Sequence, residues 1–481
     1  MALDISALVP ELLVIGLGLL LLIIHILQRQ PVPANPIGWV AFLAFTAIAL
    51  FVVWRMPVAE VTWGGTWLVD PLANFFKILF LLAAALVSLA SITSLAGQSR
   101  FASEYFVLLS MATAAMMCVI SAGDLLTLYV GLEFLAITLV VLTALDRGTA
   151  ASEAGLKYLI LNAISSAALL YGFSLLYGMS GSLVLGEIAT IIAGGATQAW
   201  AGLALPVAIV LVLSGFAFKT SLVPFHMWSI DVYHGAPTPI TAFFAIGSKA
   251  AGFAVLIRVF MKLFIPWAAA WVPALIVLSI LTFTLGNLVA IPQTDIKRFL
   301  AYASIGSAGY IIMGMIAATR GGIEAMLFYA MIYVFATFGA FAVATAVQAQ
   351  TGSTAISALA GLSKRSPFLA LTMLLCTLSL AGVPGLAGFI GKFYIFWAVI
   401  DQGYAWLALL GIIVSILSVY YFLLLAKVMY VNDPPAESAI IRVMPSMRLA
   451  LAVSVFATVF FGVYPGPLIN LVTQVAARFI S

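Results

Sequence analysis

The chain has 481 residues, of which 65% are hydrophobic and only 7% charged, with a mean hydropathy of +1.22. Soluble domains carry roughly a quarter charged residues, so this composition excludes a soluble fold and implies an all-α polytopic membrane protein. The net charge of +4 comes from lysines and arginines scattered singly or in pairs, without the basic stripe that nucleic acid requires, so no nucleic-acid partner is expected.

A spanning helix needs about 20 apolar residues, which leaves room for at most about sixteen here. Apolar runs bounded by polar, proline or glycine breaks predict about fourteen. The first three fall at about 10–28, 37–55 and 72–96. Asp4 and Glu11 lie at the start of the first run and Arg29 after it, the reverse of a secretory signal, so this segment is expected to stay as a span. Glu60, Trp63, Trp67 and Asp70 then form a loop with the aromatics of a membrane edge. Spans four to six are predicted at about 104–122, 125–145 and 154–179. A polar connection through Glu187 and Gly194 leads to span seven at about 203–228 and span eight at about 238–262. The rest lie at about 271–292, 298–317, 322–348, 367–400, 405–430 and 447–472.

Short cytoplasmic loops are enriched in lysine and arginine. Placing the N-terminus outside puts Arg29, Arg100, Arg147, Lys157, Lys297, Arg298, Lys364, Arg365, Lys427, Arg442 and Arg448 on the cytoplasmic side, leaving Arg55, Arg258, Lys262, Arg320 and Arg478 opposite. Both termini are therefore expected on the outer side, with an even number of spans. The two cysteines, Cys118 and Cys376, each lie in an apolar run, and no Cys/His spacing typical of a metal or iron-sulphur site occurs. Both read as packing residues, and no metal or bound cofactor is expected in the chain itself.

Two segments exceed what a bilayer needs and are interrupted by proline: span seven at Pro224 and span twelve at Gly382-Val-Pro384-Gly385. Each has a lysine nearby, Lys219 before the first break and Lys392 after the second. Paired broken helices in matching parts of two halves point to inverted repeats with sites at mid-membrane. The expected organisation is a three-helix segment over 1–100, a first inverted repeat over 101–265, a second over 266–432, and a last helix within 433–481.

Glu133 sits among apolar neighbours in span five, where a carboxylate is costly unless a cation lies close. Lys219, at comparable depth in span seven, is the expected partner. The bland alternative is an ion pair that only fixes helix packing. Lys249 in span eight and Lys392 in span twelve extend the set of buried ionisable groups. The alternative for those two is snorkelling of the ammonium to an interface. A buried lysine's hold on its proton responds to nearby charge, so a carboxylate that moves can switch it. Unwound turns are tolerated at membrane depth where they line a hydrated cavity or are buried in protein, and there His226 is a candidate relay or a packed, capping side chain. Lys297 and Arg298 read as interface anchors.

Three long motifs carry a resemblance: Pro-Phe-His226-Met-Trp-Ser-Ile-Asp231-Val-Tyr-His-Gly-Ala-Pro-Thr-Pro239, Gln-Thr-Asp-Ile-Lys297-Arg-Phe-Leu-Ala-Tyr-Ala-Ser-Ile-Gly, and Leu-Ala-Gly-Val-Pro-Gly-Leu-Ala-Gly-Phe-Ile-Gly-Lys392-Phe. Together they resemble the antiporter-like subunits of respiratory complex I and of multisubunit cation/proton antiporters, over nearly the whole chain. The opening Val-Pro-Glu-Leu, the stretch from Asp70 to Phe80, and lysine at both 249 and 392 are most similar to one complex I branch of that family. The resemblance implies a proton-translocating membrane-arm subunit of NADH:quinone oxidoreductase, with Glu133, Lys219, Lys249 and Lys392 as proton-pathway residues. It also implies neighbouring antiporter-like subunits and membrane lipids as partners, a bacterial inner-membrane location, and FMN, iron-sulphur clusters and quinone elsewhere in the complex. The alternatives are a cation/proton antiporter subunit and a passive membrane scaffold. One departure stands out: the family's Trp-x-Pro-Asp is Trp228-Ser-Ile230-Asp231 here, predicting a local change at the end of span seven.

Overall fold

The computed structural model describes residues 5–27, 33–96, 101–194, 201–434 and 439–480. Arg29 and Arg100, both used above to set sidedness, lie outside the described residues. The first helices are α1 (Val9–Leu27), α2 (Ala34–Trp54) and α3 (Pro71–Ser94), followed by α4 (Ala102–Ser121), α5 (Leu125–Thr143), α6 (Thr149–Ser180) and α7 (Leu185–Ala193). Next come α8 (Ala201–Lys219), α9 (Met227–Gly235), α10 (Thr238–Phe243), α11 (Lys249–Leu263), α12 (Ala268–Ala290), α13 (Ile296–Ile316) and α14 (Arg320–Thr351). The chain closes with α15 (Leu362–Arg365), α16 (Pro367–Ala381), α17 (Ala387–Asp401), α18 (Ala405–Tyr430), α19 (Pro445–Val463) and α20 (Gly466–Ile480).

Among the described residues thirteen helices are long and apolar enough to cross a membrane. The jointed pair α16/α17 makes the fourteenth crossing, as the hydropathy pattern predicts. The expected last span is shorter than read. It stops at Val463 because Pro465 cannot continue the helix, and α20 follows as a separate element. Leu468, Val472, Val475, Ala476 and Phe479 form its single buried face, so it lies against α14 and α3. Two smaller elements were also unread. A hairpin pairs β1 (Glu60–Thr62) with β2 (Trp67–Val69) in the aromatic loop, and α7 buries Leu185, Ile188 and Ile192 in the polar connection.

The bundle packs around α14, whose residues from Ile323 to Val347 are almost all buried against α3, α10, α13, α16, α17 and α19. Its counterpart along the chain is α6. Both helices are 32 residues long, and both end at a left-handed glycine, Gly181 and Gly352, each with φ 70°. Each is preceded, at the same interval, by an aspartate that caps a helix: Asp124 accepts from the amides of Leu126 and Thr127, and Asp295 from those of Lys297 and Arg298. Each aspartate also bridges to a residue just beyond the glycine, Asp124 to Val184 and Asp295 to Ala355. The two stretches thus share one local plan. They differ in burial, since α6 is a peripheral helix with Leu156, Ile160 and Ile164 exposed.

Asp295 carries a further load. Burial works to raise its carboxyl, but His234, Thr354 and the backbone N–H of Arg298 outweigh that and bring it down to about 2. A carboxylate depressed on folding adds stability above its unfolded range near ~4, and that stability is lost as pH falls through the folded value. Replacing Asp295 by Asn should flatten the dependence of thermal stability on pH between about 4 and 2; unfolding curves of the purified complex in detergent would read this, and an unchanged slope would refute it.

Candidate proton-pathway site

Both predicted breaks are present, and each leaves backbone groups that need partners. In the first, α8 ends at Lys219 and α9 starts at Met227, with Pro224 between them. The Phe218 carbonyl accepts from Trp228 Nε1 at 2.8 Å, and the Val223 N–H donates to Thr282 Oγ1 at 2.9 Å. In the second, α16 ends at Ala381 and α17 starts at Ala387 around Pro384. The freed Ala381 carbonyl accepts from Lys392 Nζ at 2.8 Å, from Ser415 at 3.3 Å and from Ser418 at 3.4 Å. Lys219 therefore ends α8, and the Lys392 ammonium, carried on the second turn of α17, reaches the C-terminal end of α16; in both places the helix dipole presents its negative pole.

Glu133 and Lys219 do not form the direct ion pair that the sequence suggests. Lys219 Nζ donates to Asn162 Oδ1 at 2.6 Å, and Asn162 Nδ2 faces Glu133 Oε2 at 3.5 Å. Ser166, one turn further along α6, donates to Glu133 Oε1 and lies 3.5 Å from Asn162 Nδ2. The correction has a simple cause: α6 lies between α5 and α8, and its polar edge fills the space where the two charges would have met. Asn162 and Ser166 were missed by sequence reasoning, yet a signal existed. Gly155, Tyr158, Asn162, Ser166, Leu169 and Phe173 recur at helical spacing as the buried stripe of α6, and two of them are polar.

Lys249 follows a π-helical turn, Phe244–Ser248, inside the eighth crossing. Such bulges re-aim side chains and frequently mark functional positions. Its Nζ donates to Ser304 Oγ at 2.6 Å and to the Ser304 carbonyl at 3.2 Å, both on α13, with the Tyr233 ring 5.8 Å away. Lys392 Nζ donates to Ser415 Oγ at 2.8 Å and stands 4.6 Å from the Tyr310 ring centre. All three lysines are buried, and neither Lys249 nor Lys392 snorkels to an interface. A cavity of about 270 Å³ reaches Lys392 between α17 and α18, with the exposed Phe393 and Ile416 on its rim. His226 is buried at the start of α9, where its carbonyl accepts from the Ser229 amide and hydroxyl; its ring Nδ1 has no hydrogen-bond partner.

Asp231, in the segment that departs from the family motif, lies within the regular helix α9. It pairs with Lys157 at 2.9 Å and approaches Arg298 at 3.9 Å. Lys297 holds the carbonyls of His234 and Ala236 at 2.7 and 2.5 Å, which fixes the end of α9 to α13. At the opposite end of the bundle Arg258 donates to both carboxylate oxygens of Asp70, at 2.8 and 2.9 Å. Burial works to raise the Asp70 carboxyl, and the Arg258 charge and hydrogen bonds more than offset it, holding it below the usual range. Arg258 is fully buried and Asp70 about 24% exposed, so removing one partner leaves an uncompensated charge at a cost somewhat below the roughly 3–5 kcal/mol of a fully buried pair. Arg258→Ala should therefore lower the thermal stability of the purified complex well beyond a surface substitution, and a melting point equal to wild type would contradict that.

The transmembrane family described as NADH:quinone oxidoreductase/Mrp antiporter matches residues 122–418, which contain Glu133, Asn162, Lys219, Lys249 and Lys392. The chain belongs to that family. A protein of Moorella thermoacetica named NADH-quinone oxidoreductase subunit N is 45% identical over 480 residues, covering 99% of both chains. A protein of Synechococcus named NAD(P)H-quinone oxidoreductase subunit 2 is 38% identical, with 98% of this chain and 90% of that one aligned. Among solved structures, a chain of respiratory complex I from Thermus thermophilus with bound aureothin is 32% identical, with a TM-score of 0.81 over 96% of this chain and 98% of that one. A chain of the Mrp complex from Dietzia is 20% identical with a TM-score of 0.87, over 100% of this chain and 98% of that one, and shares the fold. This family member thus matches the quinone oxidoreductase relatives over 90–99% of their length, including the N-terminal helices that the family model does not cover.

Proposed function

We propose that this chain is a proton-translocating membrane-arm subunit of a bacterial NADH:quinone oxidoreductase, placed among other antiporter-like subunits and lipids. The observation that carries the reading is the bridged set Glu133–Asn162–Lys219, in a chain 45% identical over nearly its full length to a protein named subunit N of that enzyme. A carboxylate and an ammonium joined by one amide form a pair whose separation can change without breaking the fold. Lys249 and Lys392, each held by hydroxyl and carbonyl oxygens, continue the line of protonatable groups toward the second joint.

In this role a displacement of Glu133 charge alters the proton affinity of Lys219, and the proton passes by way of Lys249 to Lys392 and leaves on the outer side. His226, beside the first break, is a secondary relay candidate. The two shared local plans around α6 and α14 support inverted repeats over 101–265 and 266–432. The end of the bundle that holds Arg55, Arg258, Lys262 and Arg320 faces outward, with both termini there, in the bacterial inner membrane. FMN, iron-sulphur clusters and quinone belong to other subunits. Cys118 on α4 and Cys376 on α16 stand apart, and no cluster of three metal-binding side chains occurs among the described residues.

The test is isolation of the tagged chain from membranes. NADH oxidation should co-purify with it, and the reconstituted complex should move protons on NADH addition without sodium. Sodium-dependent exchange with no NADH-linked activity would replace this reading by the cation/proton antiporter.

A further inference from the structure

Among the described residues no charged side chain bridges Lys249 and Lys392, but buried hydroxyls from α13, α14 and α18 lie between them. On the Lys249 side, Ser304 accepts from Lys249 and also from the Tyr333 hydroxyl, at 2.8 Å. On the Lys392 side, the Tyr310 ring faces the ammonium, its hydroxyl accepts from Asn287 Nδ2 at 3.3 Å, and Asn287 Oδ1 accepts from Tyr421 at 3.1 Å. Tyr329 stands between the two groups. It lies one turn before Tyr333 on α14, with the rings stacked at 6.1 Å, and its hydroxyl has Ser307, Tyr333 and Tyr310 as polar neighbours. That hydroxyl is buried and approaches Ser307 without forming a well-aligned hydrogen bond. A buried, unpartnered hydroxyl costs stability, so its retention asks for a role. The other side of the ring packs directly on the backbone of Gly391, the residue before Lys392: a Cβ there would come within 2.6 Å of Tyr329 Cδ2.

We propose that Tyr329 is a proton gate between Lys249 and Lys392, its hydroxyl closing a hydrogen-bonded chain from Ser304 and Tyr333 to Tyr310. The inference rests on the proton-translocating reading above. When the gate closes, Lys249 ammonium gives a proton to Ser304, each hydroxyl along the row releases its own proton as it receives one, and from Tyr310 the last passes through the Ser415 hydroxyl to the Lys392 amine. One N–H bond breaks and one forms, every hydroxyl ends with the proton count it began with, and no oxidant or reductant is consumed. When the Tyr329 hydroxyl is unpaired, as here, the row is interrupted and the two lysines are isolated. Closing the row requires a small displacement of the Tyr329 ring that carries its oxygen into hydrogen-bond geometry, and the tight fit against Gly391 places the ring where a shift of the second joint is felt.

Tyr329→Phe keeps the ring and removes only the hydroxyl. In the assembled complex reconstituted into vesicles, it should lower NADH-driven proton translocation by about tenfold, the scale of losing a positioned proton-transfer group. What translocation survives should show a larger slowing in heavy water than wild type, a readout that a packing role would not move. Lys219→Met is measured alongside. Wild-type pumping in Tyr329→Phe with impaired Lys219→Met overturns the gate and leaves the parent reading intact; normal pumping in both overturns the parent reading. Should Tyr329→Phe fail to assemble, Tyr310→Phe interrupts the same row, and wild-type pumping there overturns the gate equally.

Discussion

Lys219→Met should reduce NADH-driven proton translocation by about tenfold or more while the complex still assembles. Methionine fills nearly the same volume without a charge or a donor, so the packing of α8 against α6 survives. What disappears is the group whose protonation answers to Glu133. Because the Lys219 ammonium is buried and its single side-chain hydrogen-bond partner is a neutral amide, its removal breaks no direct ion pair, and Glu133 keeps its hydrogen bond from Ser166. The variant therefore separates transport from stability better than Glu133→Gln would. Co-purification of the other subunits measures assembly, and the proton signal per NADH oxidised measures coupling. A Lys219→Met enzyme that pumps like wild type would remove the basis for the proposed function.

Asn162→Leu is expected to rank close behind. The amide is the one bridge between Glu133 and Lys219, accepting from the lysine at 2.6 Å and facing the carboxylate with its NH₂ at 3.5 Å. A hydrogen bond to a charged group contributes about 1.5–3 kcal/mol, which at ~1.4 kcal/mol per decade corresponds to a factor of about ten to a hundred in proton distribution. Leucine keeps the volume and breaks both contacts, so proton translocation should fall by about tenfold while quinone reduction is less affected. Asn162→Asp gives a sharper comparison, because a second carboxylate beside Lys219 competes with Glu133 for the ammonium. If Asn162→Leu left translocation at the wild-type rate, the charges would have to communicate without the bridge.

Much of this arrangement is legible in the chain because its determinants are local. Hydropathy marks fourteen crossings, proline and glycine mark both joints, and a lone Glu133 or Lys249 in apolar sequence is conspicuous by its cost. Contacts set by how helices pack side by side are not local. Glu133 and Lys219 lie in helices five and seven, and only the fold reveals that α6 passes between them with Asn162 on the facing edge. The π-helical turn before Lys249 has no clear sequence signature, because Phe244–Ser248 would also suit a regular helix. The helix α20 was absorbed into its predecessor because its apolar residues blurred the stop at Pro465, although their spacing on a single face distinguishes it.

Lys249 and Arg258 occupy the same helix, α11, and the end that carries Arg258 is tied to Asp70 at the head of α3 by two hydrogen bonds. The Phe479 ring of α20 closes over that end, 4.9 Å from Lys262 and 6.0 Å from Arg258. A rod riveted in this way cannot slide along its axis without breaking both bonds at once. On the proposed reading, α11 would serve as the stator of the bundle, holding Lys249 at one height while the row beside it closes and opens. A displacement imposed by a neighbouring subunit would then be taken up at the two joints, α8/α9 and α16/α17, where the helical hydrogen bonding is already interrupted.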